Sequence, residues 1–196
     1  MTTIGLLGGS FNPVHVGHTI VASYVAQHGP VDQVWLVLSP RNPLKQADEL
    51  ASDTDRLAML RLAAEPFGSN QVEVSDVELS MPRPSYTIDT LRTLSERYPD
   101  CRFKWIAGSD SLRQLDRWKD WEEILHRFGM IIYPRPGYEI PAQLPEGVEI
   151  CDAPGIEISS SFIRNEIKSG RDITYYVTES VKRYIISHNL YSIYDK

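Results

Sequence analysis

Short apolar runs alternate with longer amphipathic stretches along the whole chain. Thr3 to Leu7 is apolar and ends in Gly8-Gly9, after which Ser10-Phe11-Asn12-Pro13 leads into an amphipathic stretch from Gly17 to about Gln27. That order predicts strand, tight loop and helix. Gln33 to Leu38 is rich in Val and Leu, is bounded by Pro30 and Pro40, and is too short for a typical helix, so it predicts a buried strand. Asp53 to Ala64 places Leu57, Leu60 and Ala64 on one face and predicts a helix that stops at Pro66. Val72 to Leu79 alternates apolar and polar positions over much of its length, as a half-exposed strand does. Thr87 to Tyr98 carries Ile88, Leu91 and Leu94 at helical spacing and ends before Pro99.

The second half repeats the pattern. Phe103, Trp105 and Ile106 predict a strand running into the polar turn Gly108-Ser109-Asp110-Ser111. Asp120 to Phe128 reads as a helix, Met130 to Tyr133 as a strand, Tyr138 to Gly147 as a surface loop with two prolines, and Val148 to Cys151 as a last short strand. Ser160 to Lys168 and Val177 to about Ser187 predict two closing helices, and no internal repeat or low-complexity segment interrupts the order. Strands alternating with helices of about 10 residues predict an α/β fold, a single Rossmann-like doubly wound domain with a mainly parallel sheet and helices on both faces. Ligands of such sheets sit beyond the carboxyl ends of the strands, where the polar turns gather.

Composition narrows the class without naming a chemistry. The 196 residues suit one domain with a substantial core. Hydrophobic and charged fractions of 42% and 23% are ordinary for a globular chain. No apolar run approaches the roughly 20 residues that cross a bilayer, and the opening lacks the features of a signal peptide, so the cytoplasm is expected and a membrane partner is not. Cys101 and Cys151 show no Cys-x-x-Cys spacing, which argues against a disulfide framework or a Cys-rich zinc site and for two core thiols. A net charge of −6 argues against a nucleic-acid partner, although a few local donors can still hold a small anion. Whether the chain forms a homo-oligomer stays open.

The most informative stretch is Gly8-Gly9-Ser10-Phe11-Asn12-Pro13-Val14-His15-Val16-Gly17-His18. Glycines after a strand let backbone pass close to a ligand, and a following helix start offers unpaired N–H groups to phosphate. Neither the dinucleotide fingerprint nor a P-loop is present. Instead His15 and His18 lie three apart, so both rings can flank the helix entrance and donate to phosphoryl oxygens. Taken singly, a His near a helix start is more often structural, and paired His can bind zinc, but no third ligand is evident nearby. The segment resembles the His-x-Gly-His signature of the nucleotidyltransferase superfamily.

Further on, Ile158-Ser159-Ser160-Ser161-Phe162-Ile163-Arg164 puts consecutive hydroxyls at a predicted helix start and an arginine one turn inside. Hydroxyls and N–H groups there can cap the helix or bind phosphate, and Arg164 supplies a planar fork of donors. This segment resembles the Ile-Ser-x-x-x-Ile-Arg signature of the same superfamily. Pro84-Ser85-Tyr86-Thr87, Gly108-Ser109-Asp110-Ser111, Trp118 and Arg135-Pro136-Gly137-Tyr138 follow the order of bacterial nicotinate mononucleotide adenylyltransferases, a resemblance running from about Ile4 to Tyr191.

The resemblance implies adenylyl transfer from ATP to nicotinate mononucleotide, with Mg²⁺ arriving on ATP and no metal site of the chain's own. It implies catalytic roles for His15, His18 and Arg164. It also implies an ATP region of Gly8, Gly9, Ser10, Phe11, Gly17, Lys45, Gly108, Asp110, Ser159, Ser160 and Ser161. The pyridine nucleotide would meet Ser85, Tyr86, Thr87, Trp118 and Arg135. One departure stands out, because Asn42-Pro43-Leu44-Lys45 has Leu44 where many family members carry His, while Lys45 is retained. A phosphopantetheine adenylyltransferase and a nucleotide sensor without turnover are the competing expectations. The Ser85 to Thr87 turn and Trp118 argue against the first, and the intact His15, His18 and Arg164 against the second.

Overall fold

The apolar runs form six strands: β1 (Thr2–Gly9), β2 (Gln33–Leu38), β3 (Val72–Ser75), β4 (Cys101–Gly108), β5 (Met130–Tyr133) and β6 (Val148–Ile150). Six helices join them: α1 (Val16–His28), α2 (Asp53–Ala64), α3 (Thr87–Arg97), α4 (Trp121–Glu123), α5 (Ser160–Lys168) and α6 (Glu179–Ser187). The structure is a computed structural model and describes residues 1–40, 50–68 and 71–192. Lys45, expected at phosphate, lies outside the described residues, as does the rest of the Asn42 to Lys45 segment.

Every strand pairing is parallel, and the sheet order is β3-β2-β1-β4-β5-β6. From β1 the chain first builds outward through β2 and β3, then returns to add β4 on the other side of β1. The order therefore reverses between β1 and β4, which opens a crevice beyond their carboxyl ends. Side chains alternate across the sheet as the strand period of two requires. Leu36, Ile106 and Ile131 face a core completed by α1, α2, α5 and α6. Trp35, Trp105 and Ile132 face a second core completed by Ile88, Leu91 and Leu94 of α3. Cys151 is buried in the first core, whereas Cys101, at the start of β4, is only half-buried.

Local chemistry explains where the elements stop. Ser52 caps α2 by accepting from the Asp55 N–H at 3.0 Å, and Thr178 caps α6, so that helix begins at Glu179 rather than Val177. The expected strand to Leu79 ends instead at Ser75, where pairing with β2 also ends, and Val77–Ser80 forms a 3-10 turn. The Asp120 to Phe128 segment is helical, but its α-helical part is short and passes into a π-helical turn at Ile124–Phe128. The polar turn after β4 extends into 3-10 helix over Ser109–Arg117. On α2 the buried face keeps Leu60 and Ala64 as expected, but it runs through Arg56 rather than Leu57. Arg56, Met59, Leu60, Ala63 and Ala64 are buried, and Leu57 is only half-buried. Among the described residues no helix is long and apolar enough to cross a membrane.

Candidate active site

A cleft of about 670 Å³ opens beyond the carboxyl end of β1. His15, His18 and Gly17 line one side, Ser159, Ser160, Ser161 and Arg164 another, and Tyr133 to Pro136 a third. The two sequence signatures, some 140 residues apart, thus share one wall-to-wall space. Strand β1 delivers the first of them, and α5 begins with the second.

Backbone geometry fixes the two histidines. His15 is the residue before α1, and its carbonyl accepts from the N–H groups of His18 and Thr19 at 2.9 and 3.3 Å. The His15 N–H in turn donates to Nδ1 of His18 at 3.2 Å. A backbone N–H is always a donor, so Nδ1 of His18 must carry a lone pair, and a neutral ring then holds its proton on Nε2. His18 is thereby preset as an N–H donor to whatever occupies the cleft. The two rings stack, with centroids 3.7 Å apart and planes 27° from parallel.

Neighbours complete this packing. A Cβ on Gly17 would lie 3.0 Å from Nδ1 of His15, so the small residue between the histidines lets the ring fold over the chain. Phe11 is buried in the left-handed region at φ +43° and sets its ring edge-on to His18 at 4.9 Å. Such a backbone is costly for a bulky residue and is kept where the site needs it. Gly8 leaves room for the Trp105 indole, since a Cβ there would come within 2.5 Å of the ring.

The second signature is fastened to the first. Nη1 of Arg164 donates to the Asn12 carbonyl at 2.9 Å, and the Ser160 hydroxyl donates to the Pro13 carbonyl at 2.9 Å. Ser159 is the cap of α5 and accepts from the Phe162 N–H at 3.1 Å. Ser161 is exposed, and Arg164 Nη2 donates to its hydroxyl at 3.4 Å. Asn12 also accepts at Oδ1 from the Ala51 N–H and from the Tyr191 hydroxyl, at 3.1 and 2.8 Å. Burial holds the Tyr191 phenol above its ordinary pKa, so it stays a donor.

Three residues that spacing did not single out support the loops. Arg56 is fully buried and donates to the carbonyls of Ala51, Ser10, Ser39 and Pro40 and to Asp53 Oδ1 at 2.5 Å. It joins the exits of β1 and β2 to the start of α2. Ser109, buried, accepts from the Arg135 N–H and donates to the Tyr138 carbonyl, each at 2.9 Å, which straps the loop after β5 over β4. Arg135 then pairs with Asp110 at 2.9 Å and faces the cleft. Gly108 leaves space for this pair, because a Cβ there would meet Arg135 Cδ at 2.4 Å. Tyr133 also lines the cleft, and burial pushes its phenol above the usual value. Only Ser109 had a signal to find it, its place in the polar turn after β4.

Of the residues expected at the pyridine nucleotide, Arg135 lines the 670 Å³ cleft, whereas Ser85, Tyr86, Thr87 and Trp118 gather on the α3 side of the crevice and do not. Helix α3 starts at Thr87, where the Thr87 and Ile88 N–H groups have no intrahelical acceptor, and the side chain of its N-cap residue Tyr86 does not cap it. Trp118 is half-buried beside this start. Lys119 joins the two segments, reaching Asp89 at 2.8 Å and lying 5.2 Å from the Tyr86 ring centre. The Ser85 hydroxyl, expected at the pyridine nucleotide, is buried and donates to Glu78 at 2.7 Å. Donors this turn can offer a ligand are therefore the backbone N–H groups and the Tyr86 and Thr87 hydroxyls.

Comparison with known proteins agrees with this layout. The profile of the cytidylyltransferase-like family matches residues 6–166. A protein of Flavobacterium johnsoniae named probable nicotinate-nucleotide adenylyltransferase is 42% identical over 196 aligned residues, covering 96% of this chain and 98% of its own. Its namesake from Bacteroides fragilis is also 42% identical, over 94% and 92% of the two chains. Among solved structures, the Plasmodium falciparum nicotinic acid mononucleotide adenylyltransferase complexed with NaAD superposes with a TM-score of 0.78. It is 23% identical and covers 97% of this chain and 98% of that one, a likeness of fold.

Proposed function

The chain belongs to the nicotinate-nucleotide adenylyltransferases of the cytidylyltransferase-like family, and we propose that it moves the AMP part of ATP onto nicotinate mononucleotide in NAD biosynthesis. The observation that carries this reading is the joining of both signatures at one cleft, with Arg164 tied to the loop that presents His18. The phosphate of the mononucleotide attacks the α-phosphorus of ATP. A new P–O bond forms there as the bond to the β-phosphate oxygen breaks, releasing pyrophosphate and giving nicotinate adenine dinucleotide. That phosphate is mostly ionised at neutral pH, with a second pKa of about 6, so no general base is needed. Catalysis then rests on positioning and on donors matched to charge that develops.

His18, through Nε2–H, and His15 serve the α-phosphate and leaving group, Arg164 and the α5 start serve the triphosphate, and Lys45 adds a further cation. Among the described residues no group of three His, Cys, Asp or Glu side chains is placed to hold a metal ion. The cleft's donors suit phosphate, so Mg²⁺ fits as a cation carried by ATP oxygens and water. It would supply positive charge to offset that of the phosphates, while this chain's own donors at His18, Arg164 and the α5 start would hold the phosphate oxygens. The 196 residues act as one cytoplasmic nucleotidyltransferase domain.

Arg164→Ala should raise KM for ATP far more than KM for the mononucleotide, because its fork lies at the α5 start rather than beside α3. Steady-state kinetics with each substrate varied in turn checks this, and equal losses toward both would contradict it. The acceptor itself is tested by comparing nicotinate mononucleotide with its amide. Bare N–H groups at the start of α3, helped by the positive end of the helix, favour a carboxylate, while an amide turns NH₂ toward one of them. A mispaired group of this kind costs about 1–3 kcal/mol, so kcat/KM should favour the acid by about 10-fold to 100-fold. Equal values or a preference for the amide would contradict the pocket chemistry.

A further inference from the structure

Glu78 is a buried carboxylate that the mechanism above leaves without a task. It sits in the 3-10 turn Val77–Ser80 after β3 and is 3% exposed. Among the described residues no basic side chain pairs with it. Instead Oε2 accepts from the Ser85 hydroxyl at 2.7 Å and Oε1 from the Thr90 hydroxyl at 2.8 Å. Both partners are buried as well. Holding a carboxylate in such a place without a cation is costly, and an apolar side chain of similar size would fill the space more cheaply. The two hydroxyls therefore point to a geometry that the carboxylate enforces.

That geometry concerns the turn into α3. Ser85 precedes the helix and Thr90 lies in its first turn, so one carboxylate grips both ends of the Tyr86 to Asp89 segment. The grip also decides what the hydroxyls offer. A Ser85 proton committed to Glu78 leaves that oxygen with lone pairs only, so donors in this turn come from Tyr86 and the helix start. Released from Glu78, Ser85 could rotate and serve either an acid or an amide.

We propose that Glu78 is a positioning residue for the pyridine subsite, which holds the Tyr86–Thr87 turn against α3 through Ser85 and Thr90 and so sets selectivity for the acid over the amide. This rests on nicotinate mononucleotide being the acceptor. Glu78→Gln keeps the size but turns an NH₂ toward one hydroxyl. In the full chain it should raise KM for nicotinate mononucleotide about 10-fold, leave KM for ATP within about twofold, and lower the acid-to-amide ratio of kcat/KM. Ser85→Ala should lower the same ratio, and the double variant should lose no more than Glu78→Gln alone, since one acts through the other. Thr90→Ser should retain the wild-type ratio where Thr90→Val does not.

A folded Glu78→Gln with unchanged acceptor KM and ratio, additive losses in the double variant, or a parallel rise in KM for ATP would overturn the proposal. If Glu78→Gln fails to fold, Ser85→Ala and Thr90→Val decide it, and an unchanged ratio in both overturns it. A wild-type chain that adenylylates neither mononucleotide refutes the acceptor and this role together. An active wild type with unaffected variants refutes the positioning role alone.

Discussion

Replacing His18 with Ala should lower kcat by at least about 100-fold, the range seen when a single donor to transition-state charge is removed. The argument starts at the backbone. The His15 N–H fixes Nδ1 of His18 as an acceptor, which leaves Nε2–H as the donor that gains strength as charge builds on the phosphoryl oxygens. Phe11 and the stacked His15 ring hold that donor in one orientation, so little reorganisation accompanies the reaction. Ala removes the donor and leaves the strand and helix that frame it. His18→Gln, whose amide N–H can reach part of the same space, should lose less. Turnover at saturating substrates, with a thermal melt to show that the variant is folded, checks the claim. Near-normal kcat in a folded Ala variant would contradict the role given to this ring.

The second large effect is on stability. Arg56→Ala should cost about 3–5 kcal/mol, the range for breaking a buried, hydrogen-bonded charge network. The guanidinium is fully buried and serves five acceptors, so its loss leaves four carbonyls without this donor and Asp53 paired, among the described residues, with Arg83 alone. At 2–4 °C per kcal/mol for a chain of this size, Tm should fall by roughly 6–20 °C. Lys cannot replace the planar fork, so Arg56→Lys should remain well below wild type. Because Arg56 holds the Ser10 carbonyl, any variant that folds should also bind ATP more weakly. Thermal unfolding followed by circular dichroism measures the first effect, and a shift of under about 2 °C would contradict it.

These two residues also mark what local pattern reveals and what it hides. His15 and His18 were legible because their spacing, and the strand and helix around them, are local. Ser159 to Arg164 was legible for the same reason, and so was the doubly wound sheet, whose strands are short runs of Val, Ile and Leu. Arg56 was not, because its acceptors at Ser10 and Ser39 lie 46 and 17 residues away and a charged residue on a helix reads as exposed. Glu78 was hidden in the same way. The alternation Val77-Glu78-Leu79 predicts a polar residue facing water, and only folding shows Ser85 and Thr90 closing over it. Polar residues whose partners are distant defeat periodicity, since periodicity records which face is apolar and not which polar groups meet.

The most direct test is pyrophosphate release by the purified chain with ATP and Mg²⁺, comparing nicotinate mononucleotide, its amide and phosphopantetheine as acceptors. Rapid release with nicotinate mononucleotide, slower release with the amide and none above background with phosphopantetheine is the predicted result. Release that depends on phosphopantetheine, or none with any acceptor, would contradict the proposed function.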